Sequence, residues 1–286
     1  LLLAVLYRVE RIKMSTSVER IGERARLKVE RVGRDVVHRG ELLRHPVYTR
    51  VLHWLVAIAF VLSLLSGFAL YSPWLFRFLT PVFGGGSMTR FLHPWFGLFF
   101  DIFFLFQFLN WLTPMLWAET DTRWLKRIKQ YTTNEDKIEP ADVGFFNGGQ
   151  KLYFWAIVLS GVLFLLTGLL MWFDHLVGRW VIAVSYVIHD LSALLMLAGF
   201  IVHIYEGTAA MPGTFHAMTN GTVTEKWAWT HHPAWYRAAT GRDPQRAYEQ
   251  ERRRQAERER AIENFEREQD ARERVADENV LQNREP

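Results

Sequence analysis

One apolar stretch of the chain, Trp180 to Gly207, holds a histidine near each end, His189 and His203. Their separation of fourteen residues comes to about 21 Å along a helix axis, and about 100° per residue turns both rings to nearly the same face. Two further histidines lie near the starts of other apolar stretches, each preceded by an arginine: Arg50-Val-Leu-His53 and Arg90-Phe-Leu-His93. A neutral imidazole is a common metal ligand. An arginine three residues earlier on a helix shares its face, one turn nearer the interface, where a guanidinium can meet anionic groups. The residue types point to metal ligation at two depths with a cation beside the ligand. The plainer alternatives are packed core histidines and ordinary boundary arginines.

Hydropathy shows which elements must carry these side chains. Half of the 286 residues are apolar, with twelve Trp and twenty-one Phe, yet the mean hydropathy is −0.02, because long apolar blocks alternate with charged ones. That is the pattern of a membrane protein with wet ends. Four blocks approach the ~20 residues that a ~30 Å hydrocarbon layer demands: Val51–Tyr71, Phe91–Leu112, Leu152–Phe173 and Trp180–Gly207. Trp and Tyr gather at their ends, as at Trp54, Tyr71, Trp95, Trp172 and Trp180, in the manner of an interfacial belt. The expected fold is an all-α membrane protein, a bundle of four transmembrane helices with helical cytoplasmic extensions. The chain has no cysteine, which excludes disulfides, thiolate-bound iron–sulfur clusters and haem attached through C-x-x-C-H. Any metal is left to His or carboxylate.

Lys and Arg set the expected orientation. They crowd the N-terminal arm, the C-terminal tail and the loop between spans two and three (Arg123, Lys126, Arg127, Lys129, Lys137, Lys151), and are sparse in the other two connections (Arg77, Arg90, Arg179). The positive-inside bias then places both termini in the cytoplasm. In that orientation His53 and His203 lie on the inner side and His93 and His189 on the outer side. Each pair comes from two different helices, as axial ligation of a haem requires. Two ligands per iron leave no open position, so the expected task is electron transfer across the bilayer through two haems. Gly67, Gly97, Gly161, Gly168 and Gly199 would let a flat ring approach the backbone, or serve plain helix packing.

Other features carry less. Glu206, one turn past His203, is a candidate for proton delivery beside the inner pair; Asp101 is a mid-span acid without an assigned role. His231 and His232 are adjacent, point apart on a helix, and are expected at the surface rather than on a metal. Ser15 to Arg44 sets small apolar residues at helical intervals among charges, which suits either a helix lying on anionic lipid or a solvated extension. Leu1 to Tyr7 is apolar but too short to span, and whether it ends a longer segment stays open. The tail around Glu251–Arg260 is helix-prone with almost no apolar stripe, either a solvated helix or disordered. The chain thus divides into a charged N-terminal cytoplasmic extension (1–48), a membrane di-haem domain (49–210), and a cytoplasmic C-terminal segment with a charged tail (211–286).

Several segments in this order resemble the cytochrome b (gamma) subunit of respiratory, membrane-bound formate dehydrogenase. They are Arg50-Val-Leu-His-Trp54, Arg90-Phe-Leu-His-Pro-Trp-Phe-Gly97, Ala141-Asp-Val-Gly-Phe-Phe-Asn-Gly-Gly-Gln-Lys151, the His189 to His203 spacing, Gly213-Thr-Phe-His-Ala-Met-Thr-Asn-Gly221 and His231-His-Pro-Ala-Trp-Tyr-Arg237. The resemblance covers roughly Arg50 to Arg237. It implies a multi-pass protein of the bacterial inner membrane, with an outer haem b on His93 and His189 and an inner haem b on His53 and His203. It implies partners as well: an iron–sulfur (beta) subunit and a molybdenum or tungsten catalytic (alpha) subunit, on which formate oxidation itself takes place. By the same resemblance the electron acceptor would be a quinone, menaquinone or ubiquinone, bound beside the inner haem at Asn147, Gly149, Gln150 and His203. From the residues alone, Asn147 to Gln150 serves equally well as a helix cap. The long N-terminal arm and C-terminal tail depart from the family. Nucleic acid is not an expected partner. The alternatives are the cytochrome b subunit of a nickel–iron hydrogenase or related oxidoreductase and, from another class, a haem-free anchor or transporter. A transporter would be expected to show broken helices and inverted repeats.

Overall fold

The computed structural model describes residues 40–133 and 141–282. Most of the N-terminal extension expected over 1–48, and Lys137 of the basic loop, lie outside the described residues. Among the described residues, four helices are long and apolar enough to cross a membrane. In chain order the first elements are strand β1 (Glu41–Leu43), α1 (Val47–Tyr71), the short α2 (Pro73–Leu79), a 3-10 turn (Thr80–Phe83), α3 (Gly86–Trp111) and the amphipathic α4 (Glu119–Thr133). After these come α5 (Gly148–Trp172), a 3-10 turn (Asp174–Leu176) and α6 (Arg179–Tyr205), which continues as a π turn (Glu206–Ala210). The last elements are α7 (Thr214–Thr219), β2 (Thr222–Thr224), α8 (Glu225–His231), α9 (Pro233–Thr240) and α10 (Pro244–Gln282). The spans are α1, α3, α5 and α6 with its π turn. At about 1.5 Å per residue, helices of this size outrun a ~30 Å hydrocarbon layer.

Three of the spans begin four or five residues before the apolar blocks that announce them, because a helix starts where its cap is and not where hydropathy rises. Pro46 starts α1 at Val47, and its fixed φ suits a helix entry. At α5 the Asn147 side chain accepts from the Gln150 backbone N–H (2.9 Å) while the Gln150 side chain accepts from the Asn147 N–H (3.0 Å), a reciprocal capping box.

Within the bundle α1 packs along α3, α5 along α6, and α3 against α5. The centre is a phenylalanine layer drawn from all four spans. Phe60 meets Phe100 (5.8 Å between ring centres) and Phe200 (5.1 Å), with Ala59, Met196 and Phe164 around them. Outward-facing positions such as Leu109, Leu159 and Leu195 are apolar and exposed, as surfaces solvated by lipid must be.

α1 and α5 begin, and α3 and α6 end, at one end of the bundle, called here the basic end; α2 and both 3-10 turns lie at the far end. The basic end carries a small cap. There β1 pairs antiparallel with β2, with Leu42 opposite Val223, and both side chains are almost fully buried. Asp121 in the first turn of α4 accepts from the Ala118 N–H and from Lys151 Nζ, both at 2.7 Å; the Lys151 ammonium also donates to the Leu116 carbonyl. This pair is 10 % and 4 % exposed, so α4 is tied to the start of α5 by a buried charge pair with its lone pairs used.

The chain forms two compact units divided after Thr240. The second holds α10, a helix charged on all sides, with Ile262 and Phe265 exposed and Glu263 paired with Arg267 one turn on. Such a helix draws its support from i,i+4 pairs rather than from a core.

Candidate functional site

The four span histidines meet in two pairs. His53 of α1 and His203 of α6 have ring centres 6.0 Å apart at 49°. His93 of α3 and His189 of α6 have ring centres 6.2 Å apart at 70°. An iron held at about 2 Å by one nitrogen of each ring puts the ring centres about 6 Å apart. Both pairs therefore fit a bis-imidazole site, one toward each end of the bundle, with the phenylalanine layer between them. On α6 the two levels are about 21 Å apart.

At the far-end pair each ring has its Nδ1 beside a hydroxyl: His93 with Ser66 Oγ and His189 with Thr167 Oγ1, both at 2.9 Å. Each hydroxyl also reaches a backbone carbonyl one turn back, Ser66 to Leu62 at 2.7 Å and Thr167 to Leu163 at 2.5 Å. A hydroxyl has one proton and a carbonyl can only accept, so satisfying every contact makes Nδ1 the donor and leaves Nε2 unprotonated, as a ligand must be. Next to Ser66 stands Gly67, where a Cβ would come within 3.2 Å of the His93 ring. Sequence reasoning passed over Ser66 and Thr167. Their signal was a hydroxyl followed by glycine, Ser66-Gly67 and Thr167-Gly168, inside two otherwise apolar helices.

The basic-end pair is built differently. His53 Nδ1 is buried and has no hydrogen-bond partner among the described residues, and His203 stacks on Tyr153, with ring centres 5.1 Å apart at 13°. Tyr153 follows Gln150 by three residues, so the start of α5 faces His203; that spacing was the signal for Tyr153, to which the sequence analysis gave no role in the site. Of the residues expected to hold quinone, Asn147 and Gln150 both commit a carboxamide oxygen to the capping box, so what Gln150 can offer a ligand is its NH2. Gly149 lies under the Trp124 indole, where a Cβ would meet Cη2 at 2.8 Å. The residue is glycine because α4 lies across it. Glu206 is exposed and opens the π turn after α6. Asp101 lies beside Gly161, where a Cβ would come within 3.5 Å of Oδ1.

The two arginines also differ. The Arg50 guanidinium donates to the Thr219 carbonyl, and its Nε is buried without a partner among the described residues, an orphaned donor that would suit an anionic group. Arg90 is exposed at the far end.

Beneath the start of α5 the cap holds a buried cation. The Arg44 guanidinium is 3.8 Å from the Phe145 ring centre and 4.5 Å from that of Trp235, and it donates to the Phe145 carbonyl. It also approaches His232 Nε2 at 3.3 Å, while His232 Nδ1 donates to the Gly144 carbonyl at 2.8 Å. The loop that leads into the Asn147 cap is thus held by Arg44 and by α8–α9. Burial, with the nearby Arg44 charge, drives His232 and His45 well below the usual imidazole range. The expectation that His231 and His232 lie at the surface is corrected here: they are 9 % and 1 % exposed. Helical divergence separates neighbouring side chains but does not send both to solvent when the helix end is itself covered.

Comparison with known proteins points to a family. The family model described as prokaryotic cytochrome b561 matches residues 44–221. The cytochrome b556 subunit of formate dehydrogenase from Haemophilus influenzae is 32 % identical over 200 residues, covering 68 % of this chain and 82 % of that protein. The nitrate-inducible formate dehydrogenase cytochrome b556 subunit of Escherichia coli K12 is 34 % identical over 200 residues, 68 % of this chain and 90 % of the relative. A second E. coli K12 formate dehydrogenase cytochrome b556 subunit is 33 % identical over 202 residues, 70 % of this chain and 93 % of its own length.

Proposed function

The chain belongs to the prokaryotic cytochrome b561 family, and on that premise we propose that it is the membrane anchor of a formate dehydrogenase, carrying electrons from an outer iron–sulfur subunit, fed by a molybdenum or tungsten catalytic subunit, to a quinone reduced near the cytoplasmic side. The observation that carries this reading is the pairing of four span histidines at two levels, each pair at the separation one iron requires. His93 and His189 would hold one b haem and His53 and His203 the other. Bound there, the two haems would supply one-electron carriage across the hydrocarbon layer.

The protein's own groups do the rest. Ser66 and Thr167 orient the far-end imidazoles. Arg50, at the basic end, turns a buried donor toward the level of His53, where a haem carboxylate would sit. The Gln150 NH2 and the Tyr153 hydroxyl lie on the face of α5 nearest His203 and are the groups best placed to hydrogen-bond a quinone oxygen. Glu206 stands one turn beyond, exposed to bring a proton. The division into an N-terminal extension, a di-haem membrane domain and a cytoplasmic tail, with both termini in the cytoplasm, belongs to the same reading. Its test is the visible spectrum of the purified chain. Reduction with dithionite should give sharp low-spin b-type bands at two haems per chain, and formate, not hydrogen, should reduce them in the assembled complex. A chain purified without haem would end the proposal.

A further inference from the structure

The two ligand pairs differ in what touches the ring nitrogen away from the iron. At the far end both Nδ1 atoms meet a buried hydroxyl, Ser66 at 0 % exposure and Thr167 at 4 %. At the basic end His53 Nδ1 has no hydrogen-bond partner among the described residues and His203 stands exposed with its ring stacked on Tyr153. Helical Ser and Thr in apolar surroundings commonly bond back to a carbonyl one turn earlier. Ser63 and Ser185 do that here without offering their hydroxyls to a histidine; what Ser63 gives His93 is its backbone carbonyl. Ser66 and Thr167 do it and present the remaining lone pairs to a ligand ring, once on α1 and once on α5, from opposite sides of the same pair. A hydroxyl oxygen that accepts from Nδ1–H makes the imidazole a stronger electron donor, and a stronger donor favours the more positive oxidation state of its metal.

Resting on the di-haem reading above, we propose that Ser66 and Thr167 are tuning residues that hold the far-end iron at a lower midpoint potential than the basic-end iron, so that electron flow toward His53 and His203 is downhill by construction. One electron leaves the far-end site, which is oxidised, and enters the basic-end site, which is reduced; the Nδ1 protons stay on their rings. The electrons enter from the formate-oxidising partner and leave to the quinone.

The test is optical redox potentiometry of the purified full-length chain, with no turnover involved. The unaltered protein should give two waves, and a His203→Ala background identifies the lower one as the far-end site. Ser66→Ala and Thr167→Val should each shift the lower wave upward and leave the upper one in place; the double variant should shift it further, and Ser66→Thr and Thr167→Ser should restore it. Where an alanine or valine variant does not load haem, Ser66→Cys, which keeps a weaker acceptor, should give a smaller upward shift. Lower waves that stay put in these variants, or a far-end site that proves to be the higher of the two, overturn the proposal. Failure of the unaltered chain to bind two haems would instead overturn the function it rests on.

Discussion

The two ends of the bundle hold their histidines by different means. At the far end the rings are fixed by their immediate neighbours, a hydroxyl on each Nδ1 and a glycine against His93. At the basic end the rings lack such ties among the described residues: His203 is exposed with one face on Tyr153, and the polar supports at that end are larger pieces, the capped start of α5 and the Arg44 cage. A pair that only passes electrons needs rigidity close to the ligand. On the function proposed above the basic-end pair would also meet a diffusing quinone, a role that a wall with polar groups in it, its supports moved outward, would suit. The basic end is accordingly where the chain spends its buried charge.

The largest effect that would break this contrast is loss of one pair. His189→Ala should reduce haem content from two per chain to one by removing the far-end site alone, and His203→Ala should remove only the other, as measured by haem-to-protein ratio and by which redox wave vanishes. Loss of both haems from either variant would show that the ends are not independent. Next comes the buried pair of the basic end. Asp121→Ala strands Lys151 without its counter-charge and should cost about 3–5 kcal/mol, seen as a lowered thermal midpoint, with the far-end wave unmoved if support there is local. Gly149→Ala forces a Cβ into Trp124 and should cost about 1–3 kcal/mol; Trp124→Leu, which withdraws the indole, should recover part of it.

The smallest expected effect is on pH dependence. His232 and His45 are held neutral in the fold, with their values pushed below the ordinary imidazole range by burial and by Arg44. The unfolded chain takes up protons near pH 6.5 while the folded chain resists, so stability is full above that value and declines as pH falls below it. Hydrogen exchange at residues 143–151 should quicken over that interval, and His232→Gln should flatten the response. An unchanged profile would remove His232 from the account.

Much of this was legible in the sequence. The four spans, the R-x-x-H repeats and the His189 to His203 interval depend on local periodicity, which a linear text preserves. The starts of the helices were less so, because Pro46 and the Asn147–Gln150 box act on the backbone and leave no mark in hydropathy. The cap was not visible at all: Arg44, Phe145 and His232 come from three distant segments, and a lone arginine, a Phe-Phe pair and a His-His pair each look like surface until they are folded onto one another. Nor does the linear sequence show that the Trp124 indole lies against Gly149.

The short pairing of β1 with β2 sets an order of assembly. Glu41 pairs with Thr224, and its carboxylate accepts from the Thr222 hydroxyl 181 positions further on, so during synthesis β1 cannot pair with β2 until the four spans described here have been made. The strand pair at the basic end therefore closes only after the fourth span is made, like a drawstring pulled after the bag is filled.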